Sequence, residues 1–469
     1  MKNKNFTIIV IGQIISLFGN AIQRFSMSLY LLEFTGSTAA FANILAISTI
    51  PYILFAPIAG MLSDRVNKKK IMVYLDFFCS ILIGGYAIIL LNGRDHEVIV
   101  AIVMFMLSIC YTLYGPAVTA SIPQIVEEDK LTSANGIINQ VGSIVNFAGP
   151  ILAGILYGIV GIKLIVIINA ISFFASAIME LFLDIPDVVA NEEKLESNVV
   201  VTFEKNTVTT EVAATVLDSQ ASELEERAAA STEIKENTKK KDKILSMEFI
   251  KNSFIDMGRT FKYLSKEKKV VLGIIASYAL CNIFLVPILS IVAPYFINIF
   301  LGLPSQVYGI VEGICVLGMI LGGLWISLKP TMFSMKKVHY TYFPMIVGVL
   351  LMSTLGSIKA NNYTIALLFA IGGLAIMMSL SLSNVLTLTF IQKEVPIEML
   401  GRVTAFSTAV ATISVAPGQL LYGQVIDFGI PIGIILFITA VANIALVIFV
   451  KWNVRELNYN KVNIRETDN

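Results

Sequence analysis

Gly60-Met61-Leu62-Ser63-Asp64-Arg65-Val66-Asn67-Lys68-Lys69-Lys70 joins two apolar stretches, 39–62 and 71–91. Four basic side chains crowd into residues 65–70, between runs that otherwise carry almost no charge. Each run is about 20 residues long, enough to cross roughly 30 Å of hydrocarbon at about 1.5 Å of rise per residue. A short loop loaded with Lys and Arg between two such runs reads as a transmembrane hairpin. Its loop faces the cytoplasm, where basic residues are retained.

The same pattern continues in both directions. The chain is 56% hydrophobic and 14% charged, against about 45–50% and about 25% in a soluble domain. The apolar excess comes in blocks, so it is not core alone. Spans are expected at 8–33, 39–62, 71–91, 97–115, 136–158, 164–183, 270–300, 306–328, 340–357, 363–389, 403–427 and 431–450. This predicts an all-α polytopic membrane protein with twelve transmembrane helices in two pseudo-symmetric six-helix halves. The expected organisation is an N-terminal half over 1–186, a cytoplasmic disordered linker over 187–246, an interfacial helix plus C-terminal half over 247–455, and a cytoplasmic tail over 456–469. Leaving out the long central loop, sixteen Lys and Arg lie on the side of the N-terminus and three (Arg94, Lys163, Lys359) on the other. Both termini are therefore placed in the cytoplasm. The start, Met1 to Asn5 before an apolar run, reads as an uncleaved first helix, because that run is too long for a signal peptide and carries Gln13, Asn20 and Arg24.

The stretch 187–246 is rich in Glu, Lys, Thr, Ser and Ala, with Phe203 its only aromatic. It cannot bury enough apolar surface to fold alone and reads as a tether. After it, Phe249, Ile250, Phe254, Met257, Phe261 and Leu264 recur mostly at spacings of three and four, with Lys251, Arg259, Lys262 and Lys266 between them. That is the pattern of an amphipathic helix lying in the membrane interface. Cys79, Cys110, Cys281 and Cys315 fall inside apolar blocks, at spacings that fit neither a disulfide framework nor a zinc site. His96 and His339 suggest no metal, and no phosphate-binding loop is present. No cofactor, nucleic acid or enzymatic activity is expected.

The pattern Gly60-x-x-x-Asp64-Arg65-x-x-Lys68-Lys69 resembles the signature loop of the major facilitator superfamily. That resemblance implies a conformational latch, in which Asp64 faces the start of the eleventh helix, near Gly401-Arg402-Val403, and holds the cytoplasmic side shut. The physics agrees, since an anion is stabilised at a helix N-terminus. Gly142, Gly149-Pro150 and Gly154 resemble the fifth-helix motif of proton-coupled drug antiporters, with Ala153 in place of one Gly. Small residues let helices approach closely, and Gly318, Gly322 and Gly323 are expected to offer the matching surface. Val395-Pro396, Glu398 and Gly401-Arg402, with Pro116, Pro123 and Ala134-Asn135 in the first half, resemble the subgroup of macrolide-efflux and siderophore-export proteins.

Gln13, Ser16, Asn20, Gln23, Arg24 and Ser28 lie on one side of the first helix. With Tyr111, Tyr278, Asn282 and Asn384 they are expected to line a substrate cavity, because polar groups facing lipid are costly. Among charges inside spans, Asp76 is expected to pair with the nearby basic loop, and Glu33, Glu180 and Asp427 to be solvated near the interfaces. Arg24 and Glu312 lie at similar depth and are assigned to proton coupling. The arginine's approach and retreat would alternate the acid's affinity for a proton. The resemblance departs at two points: 98–115 has no arginine, and Asn20 stands where relatives often carry an acid. The expected function is a monomeric secondary exporter of hydrophobic or amphiphilic small molecules, macrolides or other drug-like compounds. It would use proton antiport with alternating access in the bacterial plasma (inner) membrane and confer antibiotic resistance. The alternatives are a facilitator or uptake carrier for another solute or lipid, or a non-transporting receptor or scaffold using 187–246.

Overall fold

The computed structural model describes residues 4–127, 130–185, 247–328 and 335–467, and they contain helices and no strand. The tether 187–246 lies outside them. Eleven helical segments among them are long and apolar enough to cross a membrane. One, Gln140–Glu180, has 41 residues, about 60 Å of helix, which is two crossings. The helix Leu131–Glu180 that contains it breaks at Gly161 (φ 66°, ψ 176°), a left-handed conformation that costs glycine nothing. A single residue therefore replaces the short loop expected at 159–163, and the limbs are spans 5 and 6 of twelve.

Spans 1 to 4 are Lys4–Thr35, Thr38–Arg65, Lys68–Leu91 and Glu97–Ile125. They follow one another through short turns closed by side chains. The Ser37 hydroxyl accepts from Ala40 N at 3.0 Å and the Asn67 side chain from Lys70 N at 3.3 Å, so each caps the helix that follows. Span 7 begins as Lys269–Pro287 and continues to Phe300 through π-helical turns, Ile288–Val292 and Tyr295–Phe300. Pro287 and Pro294 lack the N–H that an α-helix needs there, so the hydrogen bonding slips to wider turns. Span 8 is Ser305–Leu328, and span 9 passes from Met335–Tyr342 into Phe343–Thr354. Span 10 is Asn362–Glu394 and span 12 is Ile432–Thr467. Span 11 is Ile397–Ile413 and Val415–Asp427, interrupted at Ser414. Pro417 has no N–H to give the carbonyl of Ile413, and at the break both the N–H and the hydroxyl of Ser414 donate to Val410 O, at 3.1 and 2.6 Å.

Large apolar side chains remain exposed along the spans, among them Ile81 at 73% and Ile159 at 72%. Such a surface belongs against lipid. Crossings between helices use small residues instead, as lipid association demands. Gly19 lies against Asn169 and Ser172, Gly348 against Gly372, and Gly273 against Asn453. The interfacial segment is a helix, Met247–Glu267. Near its end Leu264 is fully buried, and Phe261 packs on Phe406 of span 11 with ring centroids 6.4 Å apart. The side chains of Phe249, Ile250 and Phe254 lie outside the described residues.

Candidate functional site

Among the described residues, spans 1 to 6 and 7 to 12 meet chiefly where span 5 crosses span 8 and where span 2 crosses span 11. The near face is the one on which span 1 begins, and the far face the one on which it ends. Span 5 crosses span 8 near the far face. A Cβ added at Gly154 would come 2.7 Å from Ser305 O and 3.1 Å from Gly309 Cα, and one added at Gly309 would come 2.5 Å from Pro150 O. Ser305 Oγ donates to Gly154 O at 3.3 Å. These backbones touch because both residues lack a Cβ. Gly149 serves the packing of span 5 on Ala21 of span 1, and Gly142 has nothing within 4 Å. The surface expected from Gly318 and Gly322 is corrected: these glycines face Leu374 and Met378 of span 10. The partner of span 5 is instead Gly309 with Gly313, a Gly-x-x-x-Gly pair visible in the sequence but passed over.

The second crossing joins spans 2 and 11. At the far face Gly423 packs against Ala42 and Ala39. Just beyond, Asp427 closes the seam. The Ser37 hydroxyl donates to its Oδ2 at 2.5 Å and Thr38 N–H donates to its Oδ1 at 2.8 Å. An acid at the end of span 11 thus sits on the first turn of span 2, where the helix dipole favours an anion. The expectation that Asp427 is merely solvated is corrected by these bonds. At the near ends of the same two spans, Gly60, Asp64 and Arg65 belong to the span 2 helix, but their side chains lie outside the described atoms. Lys68 is buried and Lys69 half-buried at the start of span 3. Gly401 and Arg402 are exposed in the first turns of span 11, and Val403 is buried.

Inside the N-terminal half the polar stripe of span 1 meets acids. Ser16 donates to Asp76 Oδ2 at 3.2 Å and lies 2.8 Å from Ser176 Oγ. Tyr114 donates to Glu180 Oε1 at 2.5 Å. Both carboxyls are only 2% exposed. Neither has a cationic partner among the described residues, so Asp76 does not pair with the basic loop and Glu180 is not solvated at an interface. A small cleft beside them is lined by Ser16, Asn20, Asp76, Tyr111 and Tyr114 with apolar neighbours. Gln13 is buried beside Tyr114, and Gln23 accepts from Asn169 Nδ2 at 3.0 Å. Sequence reasoning named Asp76, Tyr111 and Glu180 but did not bring them together, because it read each span by itself. Asn169, Ser172, Ser176 and Glu180 recur at intervals of three and four on span 6, and that was the available signal.

The remaining residues are spread along the other spans. Arg24 is exposed and Glu312 half-buried. They act on each other electrostatically without forming an ion pair, and Tyr308 hydrogen-bonds Glu312 while its ring stacks on Phe25 at 4.8 Å. Span 1 and span 8 therefore meet through an aromatic stack next to these charges. Asn282 donates to Ala411 O at 3.0 Å, Tyr278 and Ser28 are half-buried, and Asn384 is exposed.

The sequence model of the Major Facilitator Superfamily matches residues 9–419. Macrolide efflux protein A of Streptococcus pyogenes is 29% identical over 187 residues, covering 40% of this chain and 46% of that protein. A multi-drug resistance efflux pump of Streptococcus pneumoniae is 25% identical over 135 residues, covering 29% and 32%. The chain thus spans about half the length, or less, of these curated relatives. Among solved structures, a bacterial homologue of the iron transporter ferroportin in an inward-facing state superposes with a TM-score of 0.64 at 16% identity, over 96% of this chain and 98% of that one. A nucleoside transporter mutant gives 0.67 at 13% identity, over 96% and 100%.

Proposed function

The chain belongs to the Major Facilitator Superfamily, and from that premise we propose that it exports hydrophobic or amphiphilic small molecules, macrolides among them, by proton antiport. The observation that carries the reading is the pair of small-residue crossings between the halves, at Gly154–Gly309 and Gly423–Ala42. Smooth backbone contacts can part and re-form without unfolding either half, which is what rocking about a central site requires. The similarity to macrolide and multidrug efflux proteins supports export of large, mostly apolar compounds. The orientation with both termini in the cytoplasm of a bacterial cell, the monomeric state and the tether role of 187–246 belong to the same proposal.

Coupling is assigned to Glu312 with Arg24. They lie on spans 1 and 8, one from each half, at a separation that rocking would change. In vesicles with an imposed pH gradient, the parent protein should accumulate a macrolide, and Glu312→Gln should still exchange it but no longer accumulate it. Gradient-indifferent movement by the parent would defeat antiport. A well-folded Glu312→Gln protein that still concentrates substrate would remove this residue from the mechanism.

A further inference from the structure

We propose that Asp76 and Glu180 together form a proton-binding site within the N-terminal half, separate from the Arg24–Glu312 neighbourhood. The proposal rests on the antiport reading only for its role in transport, not for the site itself. The geometry comes from four helices. Span 3 supplies Asp76, span 6 supplies Ser176 and Glu180, span 4 supplies Tyr111 and Tyr114, and span 1 supplies Gln13 and Ser16. Gly12 of span 1 lies alongside the site, where a Cβ would stand in ordinary contact with Ser176 Oγ at 3.7 Å and Glu180 Oε1 at 3.9 Å. The two acids act on each other electrostatically.

Every group that faces them is neutral or acidic. The titratable ones are Cys79 on span 3 and Cys110, Tyr111 and Tyr114 on span 4. No lysine, arginine or histidine acts on either carboxyl among the described residues. Two buried carboxylates with only hydroxyl donors form an arrangement that ionisation of both would make very costly. A single proton on the pair resolves it, because one O–H bond removes one of the two charges.

A second observation points to a missing occupant. Glu180 Oε2 is fully buried with no hydrogen-bond partner, on a residue 2% exposed, and the Tyr111 hydroxyl on the cleft wall is also unpartnered. Buried polar atoms are normally satisfied. A proton carried by the pair turns one acceptor into a donor and rearranges this unsatisfied set. The step forms one O–H bond with a proton taken from water and breaks it when the proton returns. Nothing else changes covalently.

The test is infrared spectroscopy of the full-length purified protein, titrated from acid to alkaline pH. The carbonyl stretch of a buried, protonated carboxyl should be present at low pH and vanish as pH rises. It should be lost in the Asp76→Asn/Glu180→Gln double variant and kept in Glu312→Gln. These amides copy the shape of a protonated acid, and the two single variants, measured separately, guard against a double variant that does not fold. A band untouched by these substitutions, a parent without any such band, or a band abolished by sodium at constant pH would overturn the proposal. In transport, the double variant should lose the pH-driven part of macrolide accumulation. If the parent shows the band but its transport ignores the gradient, the antiport reading fails and the proton site stands.

Discussion

Gly309→Val is expected to shift the protein away from the far-closed arrangement and to cut transport. An added side chain at Gly309 meets Pro150 O and Gly154 Cα, the latter at 3.2 Å. Both are backbone atoms, so no rotamer change relieves the clash and the two spans must separate. Forcing extra atoms into a packed contact costs typically about 1–3 kcal/mol, a shift of about 5–150-fold in the balance of states. On the proposed alternating-access reading the crossing parts when the far face opens, so the penalty falls on the far-closed state alone. A cysteine placed at Ala39, half-buried beside Gly423, should react faster with a membrane-impermeant maleimide in the valine variant. Gly142→Val is the control, since nothing lies within 4 Å of that position. Equal labelling in both variants would show that the span 5–span 8 crossing does not govern the far face.

That prediction uses a contact only half legible in the sequence. The helices themselves are easy to read, because each must bring about 20 apolar residues to the membrane. Gly149, Pro150 and Gly154 stand out for the same reason, as small or bent positions in an apolar run. Their partner does not, because every long helix in such a chain carries glycines and composition cannot say which face points where. Span 8 has one set, Gly309 and Gly313, against span 5 and another, Gly318 and Gly322, against span 10. Asp76 failed differently. Its sequence distance to Lys68, Lys69 and Lys70 suggested an ion pair, but two helical turns carry it away from the loop and into the bilayer. Ser16 and Ser176, distant in sequence, are what it meets.

Asp427→Ala should open the far face, and Asp64→Asn the near face, with the double variant returning close to the parent balance. Spans 2 and 11 run antiparallel and pack together, so the C-terminal end of each lies beside the N-terminus of the other. At its own helix's C-terminus an acid is disfavoured by the dipole, and at a neighbour's N-terminus it is favoured. Asp427 shows the far version directly, accepting from Ser37 and Thr38 at the start of span 2. Asp64 occupies the mirrored place, next to the last residue of span 2 and at the end where span 11 begins. We propose that the two acids are reciprocal clasps on one pair of helices, each engaging in one state. Asp427 is exposed, so screening limits the charge contribution to about 0.3–1 kcal/mol, and its hydrogen bonds bring the total to about 1–2 kcal/mol. That is about a 5–30-fold change in a two-state ratio. Labelling at Ala39 should therefore rise in Asp427→Ala, fall in Asp64→Asn and lie between them in the double variant. The far-face effect should shrink at high salt if charge contributes. A rise in both single variants would mean that the acids support one closed state rather than opposing each other.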